Sequence, residues 1–146
     1  MVHINQEFYY KKGLSYKNIP DTDRLISGYI KAIGEGDYSE VLQFDIREEV
    51  RFHLGWERQS GISWYPFKEG AVILEVGGEF GAMTGALCDR AGRVVVTEPS
   101  LFRAASIKER YASRDNLEIY AGLADEMQFS SEFDYIIIVN DINFCA

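Results

Sequence analysis

The stretch Val72-Ile73-Leu74-Glu75-Val76-Gly77-Gly78-Glu79-Phe80-Gly81-Ala82-Met83-Thr84-Gly85 decides how this chain folds. From Ala71 to Val76 the residues are apolar apart from Glu75, as a strand covered on both faces requires. Gly77, Gly78 and Gly81 then read as a tight turn, since glycine accepts dihedrals that a side chain forbids and lets backbone N–H groups approach a ligand. A helix follows, with Phe80, Met83 and Leu87 expected to face the sheet. Further strands read at 93–98, 117–121 and 133–139. Between the first two of these lies a helix whose inner face is expected to be Leu101, Ala104, Ala105 and Tyr111, with Lys108-Glu109-Arg110 on its wet side. Strands alternating with helices over short connections predict an α/β fold, a Rossmann-like parallel sheet with right-handed crossovers.

The strand from Arg93 ends in Glu98, where a carboxylate beside the glycine turn is placed to accept both hydroxyls of a ribose. Turn and acid together describe a nucleoside site at the carboxyl ends of neighbouring strands. The spacing argues against a dinucleotide, because G-x-G-x-x-G from Gly77 would need glycine where Glu79 and Ala82 stand. A Gly-Lys-Ser/Thr phosphate loop is absent too, and Glu79 with no nearby lysine would repel a diphosphate at a helix N-terminus. A nucleoside cofactor without phosphates fits better, with an NAD-binding domain as a disfavoured alternative.

On these residues the chain resembles the class I S-adenosylmethionine-dependent methyltransferases. Glu75-x-Gly77-x-x-x-Gly81 is similar to most of their E/D-x-G-x-G-x-G first motif, and Val94-Val95-Val96-Thr97-Glu98-Pro99 to their second. Asn116 to Gly122 and Phe133 to Asn140 resemble their third and fourth strands. The resemblance implies S-adenosyl-L-methionine as cofactor, its methionine part held by Glu75, Gly77, Gly78 and Gly81, and its ribose by Glu98 with Pro99 alongside. It implies that Leu123 and Ala124 border the adenine, and it places Asn140 at the cofactor, with Asp141 beside it on the substrate side. Two residues depart from the pattern. Glu79 replaces the middle glycine, leaving open whether it meets the cofactor's positive charges or faces solvent, and Leu123 replaces an acidic residue after the third strand.

The implied activity is methyl transfer to a small-molecule or glycan-related acceptor. Such transfer rests on in-line positioning and shows no catalytic residue that the sequence singles out. A non-catalytic cofactor-binding module of a larger multidomain protein is the alternative. Methylation of rRNA is a third reading, prompted by the likeness of Gly81-Ala82-Met83-Thr84 to rRNA adenine dimethyltransferases. Against it, Asn140-Asp141-Ile142 lacks their N-x-P-F/Y signature, and the chain carries a net charge of −8 without a Lys/Arg cluster to neutralise phosphates.

Residues 1–69 are expected to form a small helical cap or extension before the partial cofactor-binding domain at 70–146. Leu25, Ile26, Tyr29, Ile30 and Ile33 recur at helical spacing after Asp21-Thr22-Asp23, which reads as a cap, and shorter helices are expected near Ser39 and at 46–54. Residues 1–20 show no clean period and read as an irregular arm. Trp56, Trp64, Tyr65 and Phe67 read as core or cleft-wall packing, and His3 and His53 as surface or packing residues with no metal cluster around them. Of 146 residues, 47% are hydrophobic and 26% charged, an ordinary globular balance. Cys88 and Cys145 read as reduced core residues. With no apolar run long enough for a bilayer, the expectation is a soluble cytoplasmic protein. By the resemblance the chain stops after the family's fourth strand, so it is expected to be a fragment lacking its C-terminal part. That strand would then be an exposed edge through which a homodimer could form.

Overall fold

The computed structural model describes residues 1–12, 19–129 and 132–138. Five strands, β1 (Ile4–Asn5), β2 (Val72–Val76), β3 (Arg93–Glu98), β4 (Leu117–Ala121) and β5 (Tyr135–Ile138), form one wholly parallel sheet in the order β1-β4-β3-β2-β5. The chain therefore steps from β2 through β3 to β4 and then returns past β2 to lay down β5. Reversal of direction at β2 creates the kind of crevice, outside the carboxyl ends of the strands, where open α/β sheets hold ligands.

Strand alternation sorts the side chains. Ile73, Val94, Leu117, Val96 and Ile119 point to one face, where α6 (Thr84–Cys88) and α7 (Leu101–Arg110) cover them with Leu87, Ala104 and Ile107. On the opposite face Leu74 and Val95 are buried, and the rings of Tyr120, Phe129 and Phe133 meet edge-on. The β5 column of that face, Ile136 and Ile138, stays 59% and 58% exposed. No helix among the described residues is long and apolar enough to cross a membrane.

A second layer lies outside α7. Helix α2 (Asp21–Ile33) packs along α7, and with α3 (Ser39–Phe44) and α4 (Glu48–Leu54), which the short α5 (Ser60–Ser63) follows, it encloses a separate apolar cluster of Ile26, Ile30, Tyr38, Val50, Leu54 and Phe80. Helices α2, α3 and α4 fall where the sequence predicts them. The arm does not stay irregular: residues 4–5 extend the sheet beside Ile119 and Tyr120, and α1 (Glu7–Lys12) follows.

Several side-chain expectations are corrected. Phe80 does not face the sheet but plugs the helical cluster, while Met83 and Leu87 do join the sheet core. Ala105 is exposed, and its expected place is taken by Ile107. Arg110, read as solvated, is buried, because its guanidinium donates to the carbonyls of His53 (3.2 Å) and Phe80 (3.0 Å) and lies 4.8 Å from the Tyr38 ring centre. Asp23 does not cap α2; it accepts two hydrogen bonds from Arg103 on α7. Trp56 and Trp64 are 70% and 73% exposed rather than core. Phe67 packs on the sheet core and, like Tyr65, stands against the ring of Tyr135.

Candidate cofactor site at the tips of β2, β3 and β4

Where β2 ends, the chain hooks onto the tip of β3. The N–H groups of Gly77 and Gly78 both donate to the Thr97 carbonyl, at 2.9 and 3.1 Å. Gly77 adopts φ +74°, which glycine accepts without penalty. At Gly78 the limit is space: a Cβ there would lie 2.3 Å from Val96 Cγ1, so a larger residue would push the turn off the sheet. Beyond them Gly81 turns the chain towards α6, and its carbonyl accepts from the Tyr111 hydroxyl at 2.6 Å.

Glu98 closes the site from β3. Its carboxylate accepts from the Glu79 N–H at 2.7 Å through one oxygen and from the Ser100 N–H at 2.8 Å through the other. Ser100 in turn caps α7, its hydroxyl accepting from Arg103 N at 3.3 Å. The two bonds orient the carboxylate and leave part of its acceptor capacity unused. Only 4% of Glu98 is exposed, and burial pushes its carboxyl up to about 7 against the opposing pull of the two N–H groups. Pro99 is buried next to it.

Glu75 lies one row deeper on the same face, 3% exposed, and receives the Thr84 hydroxyl at 2.7 Å. Burial raises its carboxyl to about 7 as well. Its carboxyl thus supports the turn from beneath. On the other side of Glu98, the Gly122 N–H donates to the Glu98 carbonyl at 3.0 Å, and the half-buried Leu123 and Ala124 follow at the same rim. Glu75, Gly77, Gly78, Glu79, Gly81, Glu98, Pro99, Leu123 and Ala124 are therefore gathered along one edge of the sheet. Asn140 and Asp141 lie outside the described residues.

Glu79 has neither orientation that the sequence leaves open for it. Its carboxylate turns to the helical layer, 2.8 Å from Arg58 Nη1, 3.8 Å from Arg103 Nη1 and 3.7 Å from His53 Nδ1. The residue itself is held at φ +52°, a left-handed conformation that non-glycine residues seldom adopt. His53 is buried between the rings of Phe52 and Phe80, and burial lowers its pKa to about 4, so it is neutral near pH 7 with Nδ1 lacking a hydrogen-bond partner.

Sequence reasoning missed Arg58, Arg103 and Arg110. A signal existed for the last two: they lie seven residues apart, with Ser106 between them, on the stripe of α7 that also carries Ile107. Asp23 and Ser27 form the matching polar pair on α2, and Ser27 meets Ser106 at 3.1 Å.

No protein-family model and no curated protein matches the chain. Solved structures do. A phosphoethanolamine N-methyltransferase from Haemonchus contortus, solved with phosphoethanolamine and S-adenosylhomocysteine, superposes over 81% of this chain and 24% of its own, with a TM-score of 0.56 and 18% identity. A dimethyladenosine transferase from Plasmodium falciparum matches 57% of the chain and 31% of its own at TM-score 0.51 and 24% identity. An amino pentose methyltransferase from Micromonospora echinaspora, with S-adenosylmethionine bound, matches 65% and 42% at TM-score 0.51 and 17% identity. The chain thus spans less than half the length of each. These likenesses establish the fold, the Rossmann-like fold of class I S-adenosylmethionine-dependent methyltransferases.

Proposed function

We propose that the chain binds S-adenosylmethionine along the tips of β2, β3 and β4 and serves methyl transfer to a small-molecule or glycan-related acceptor. One observation carries the reading: the glycine turn and the strand-end carboxylate touch, Glu79 N–H to Glu98 at 2.7 Å, at the carboxyl ends of adjacent parallel strands. That contact brings a flexible backbone and an oriented carboxylate together at the position where α/β sheets hold nucleosides.

The chemistry of the site fits this group better than a phosphorylated one. Glu75 and Glu98 lie at the turn, while the nearby guanidiniums of Arg58 and Arg103 are already committed to Glu79 and Asp23. A diphosphate would meet carboxylates there, whereas an ammonium and a sulfonium meet compatible charge. When bound, the cofactor supplies an electrophilic methyl on a sulfonium centre. The chain contributes orientation: Glu98 accepts from ribose hydroxyls, the 77–81 backbone borders the methionine part, and Leu123 and Ala124 offer an apolar edge to adenine. The net charge of −8 supports an acceptor other than nucleic acid.

Calorimetric titration with S-adenosylhomocysteine, S-adenosylmethionine and NADH tests the proposal. Saturable heat with the first two and none with NADH is expected; tight NADH binding without either adenosyl ligand would overturn it.

A further inference from the structure

Glu79 and Phe80 stand at the middle of the glycine turn, yet both side chains leave it for the helical layer. Phe80 is fully buried among Ile26, Ile30, Val50 and Leu54. Next to it, the Glu79 carboxylate forms an ion pair with Arg58, whose guanidinium also lies 4.3 Å from the Phe52 ring centre. Arg103 approaches the second carboxylate oxygen while anchored to Asp23 of α2. The pair is shielded, the Arg58 side chain being 12% exposed and that of Glu79 21%, so removing either partner would leave the other charge poorly solvated. The backbone of the same residue holds the φ +52° conformation and donates to Glu98. A glutamate at that φ carries strain of the kind that persists only when its surroundings hold it.

Three contacts line up: Arg58 pairs with the Glu79 carboxylate, the Glu79 backbone is left-handed, and its N–H donates to the Glu98 carboxylate. We propose that Arg58 is a positioning residue for the adenosyl site, acting through Glu79 so that the helical layer and the ribose-binding carboxylate are set together. The inference rests on the cofactor reading above and adds to it a determinant outside the nucleotide-binding edge. Glycine at position 79 would reach the same φ unaided, so the chain needs Arg58 because it carries glutamate there.

A double-mutant cycle tests this. Arg58→Met should weaken S-adenosylhomocysteine about tenfold in the native background and less than about twofold when Glu79→Gly is already present, because the strain to be held has gone. Arg58→Lys, which keeps the charge but not the guanidinium, should fall between Arg58→Met and the native protein. Equal losses in both backgrounds, or no loss in the first, would overturn the proposal. The ligand-free protein supplies a second readout. Amide exchange over residues 48–63 should accelerate with Arg58→Met, and the effects of Arg58→Met and Glu79→Gly should be non-additive. If S-adenosylhomocysteine does not bind the native chain at all, the cofactor reading fails, and the exchange cycle alone judges the coupling: additive effects would refute it.

Discussion

The chain has two apolar cores, and they are built on different logic. In the sheet core, Ile73, Val94 and Val96 come from apolar runs in β2 and β3, Leu117 and Ile119 from the alternating β4, and α6 and α7 close over them. In the helical core, amphipathic helices supply Ile26, Ile30, Val50 and Leu54, but the enclosed ring of Phe80 comes from the glycine turn of the other region. Polar contacts repeat the pattern. Within the sheet region Glu75 and Glu98 are satisfied locally, by Thr84 and by the N–H groups of Glu79 and Ser100. Between the regions the links include Arg58–Glu79, Arg103–Asp23, Ser106–Ser27 and Arg110 to His53 and Phe80. The difference teaches that the turn serves two regions at once: its backbone belongs to the sheet edge and its side chains at 79 and 80 belong to the helices.

Breaking that division should have graded effects. Phe80→Ala empties the helical core and should cost about 3–5 kcal/mol in denaturant unfolding. Hydrogen exchange should show residues 21–54 losing protection before 72–98; a uniform loss would mean that the two cores are one cooperative unit. Gly77→Val places a β-branched residue at φ +74°. The strain of about 1–3 kcal/mol falls on the proposed adenosyl site and should weaken S-adenosylhomocysteine by tenfold or more in calorimetry. If affinity holds, the turn backbone is not a contact.

Protonation sharpens the contrast at Glu98. Because burial raises its pKa from 4.5 to about 7, its contribution to ligand-free stability is greatest below about 4.5 and is lost as pH rises through about 7. The ribose recognition proposed for Glu98 needs the ionised form, so affinity should move the opposite way, falling by up to about tenfold per pH unit below 7. A pH series of S-adenosylhomocysteine titrations checks the slope; a flat profile between pH 5.5 and 8 would contradict the assignment. The smallest effect is expected at β5. We propose that Ile136 and Ile138, apolar and exposed on an edge strand, support self-association, which Ile136→Lys should reduce in sedimentation experiments with little change in unfolding.

Much of the sheet region is legible in the sequence because its determinants are local. Apolar runs give strands, glycines mark the turn, and Glu98 falls at a strand end, so β2, β3 and β4 appear within a residue of their expected limits. Position 4–5 was illegible as a strand, since two residues with no alternation carry no period, and only pairing with β4 makes them one. Arg110 reads as solvated from its neighbours Lys108 and Glu109, and its burial depends on carbonyls supplied by His53 and Phe80, far away in sequence. Glu79 was ambiguous for the same reason: its partner Arg58 lies in a segment whose aromatic residues suggested packing rather than charge.

Calorimetry of S-adenosylhomocysteine with native protein and with Glu98→Gln bears most directly on the central claim. The amide keeps the size but loses the charge that strengthens hydrogen bonds from ribose hydroxyls, a difference of about 1.5–3 kcal/mol. A fall in affinity of at least about tenfold is the expected result, together with some loss of stability, because the amide NH2 must face one of the two N–H groups that donate to the carboxylate. Equal affinity for the two proteins would contradict the account, because the carboxylate at the tip of β3 would then not be holding the nucleoside.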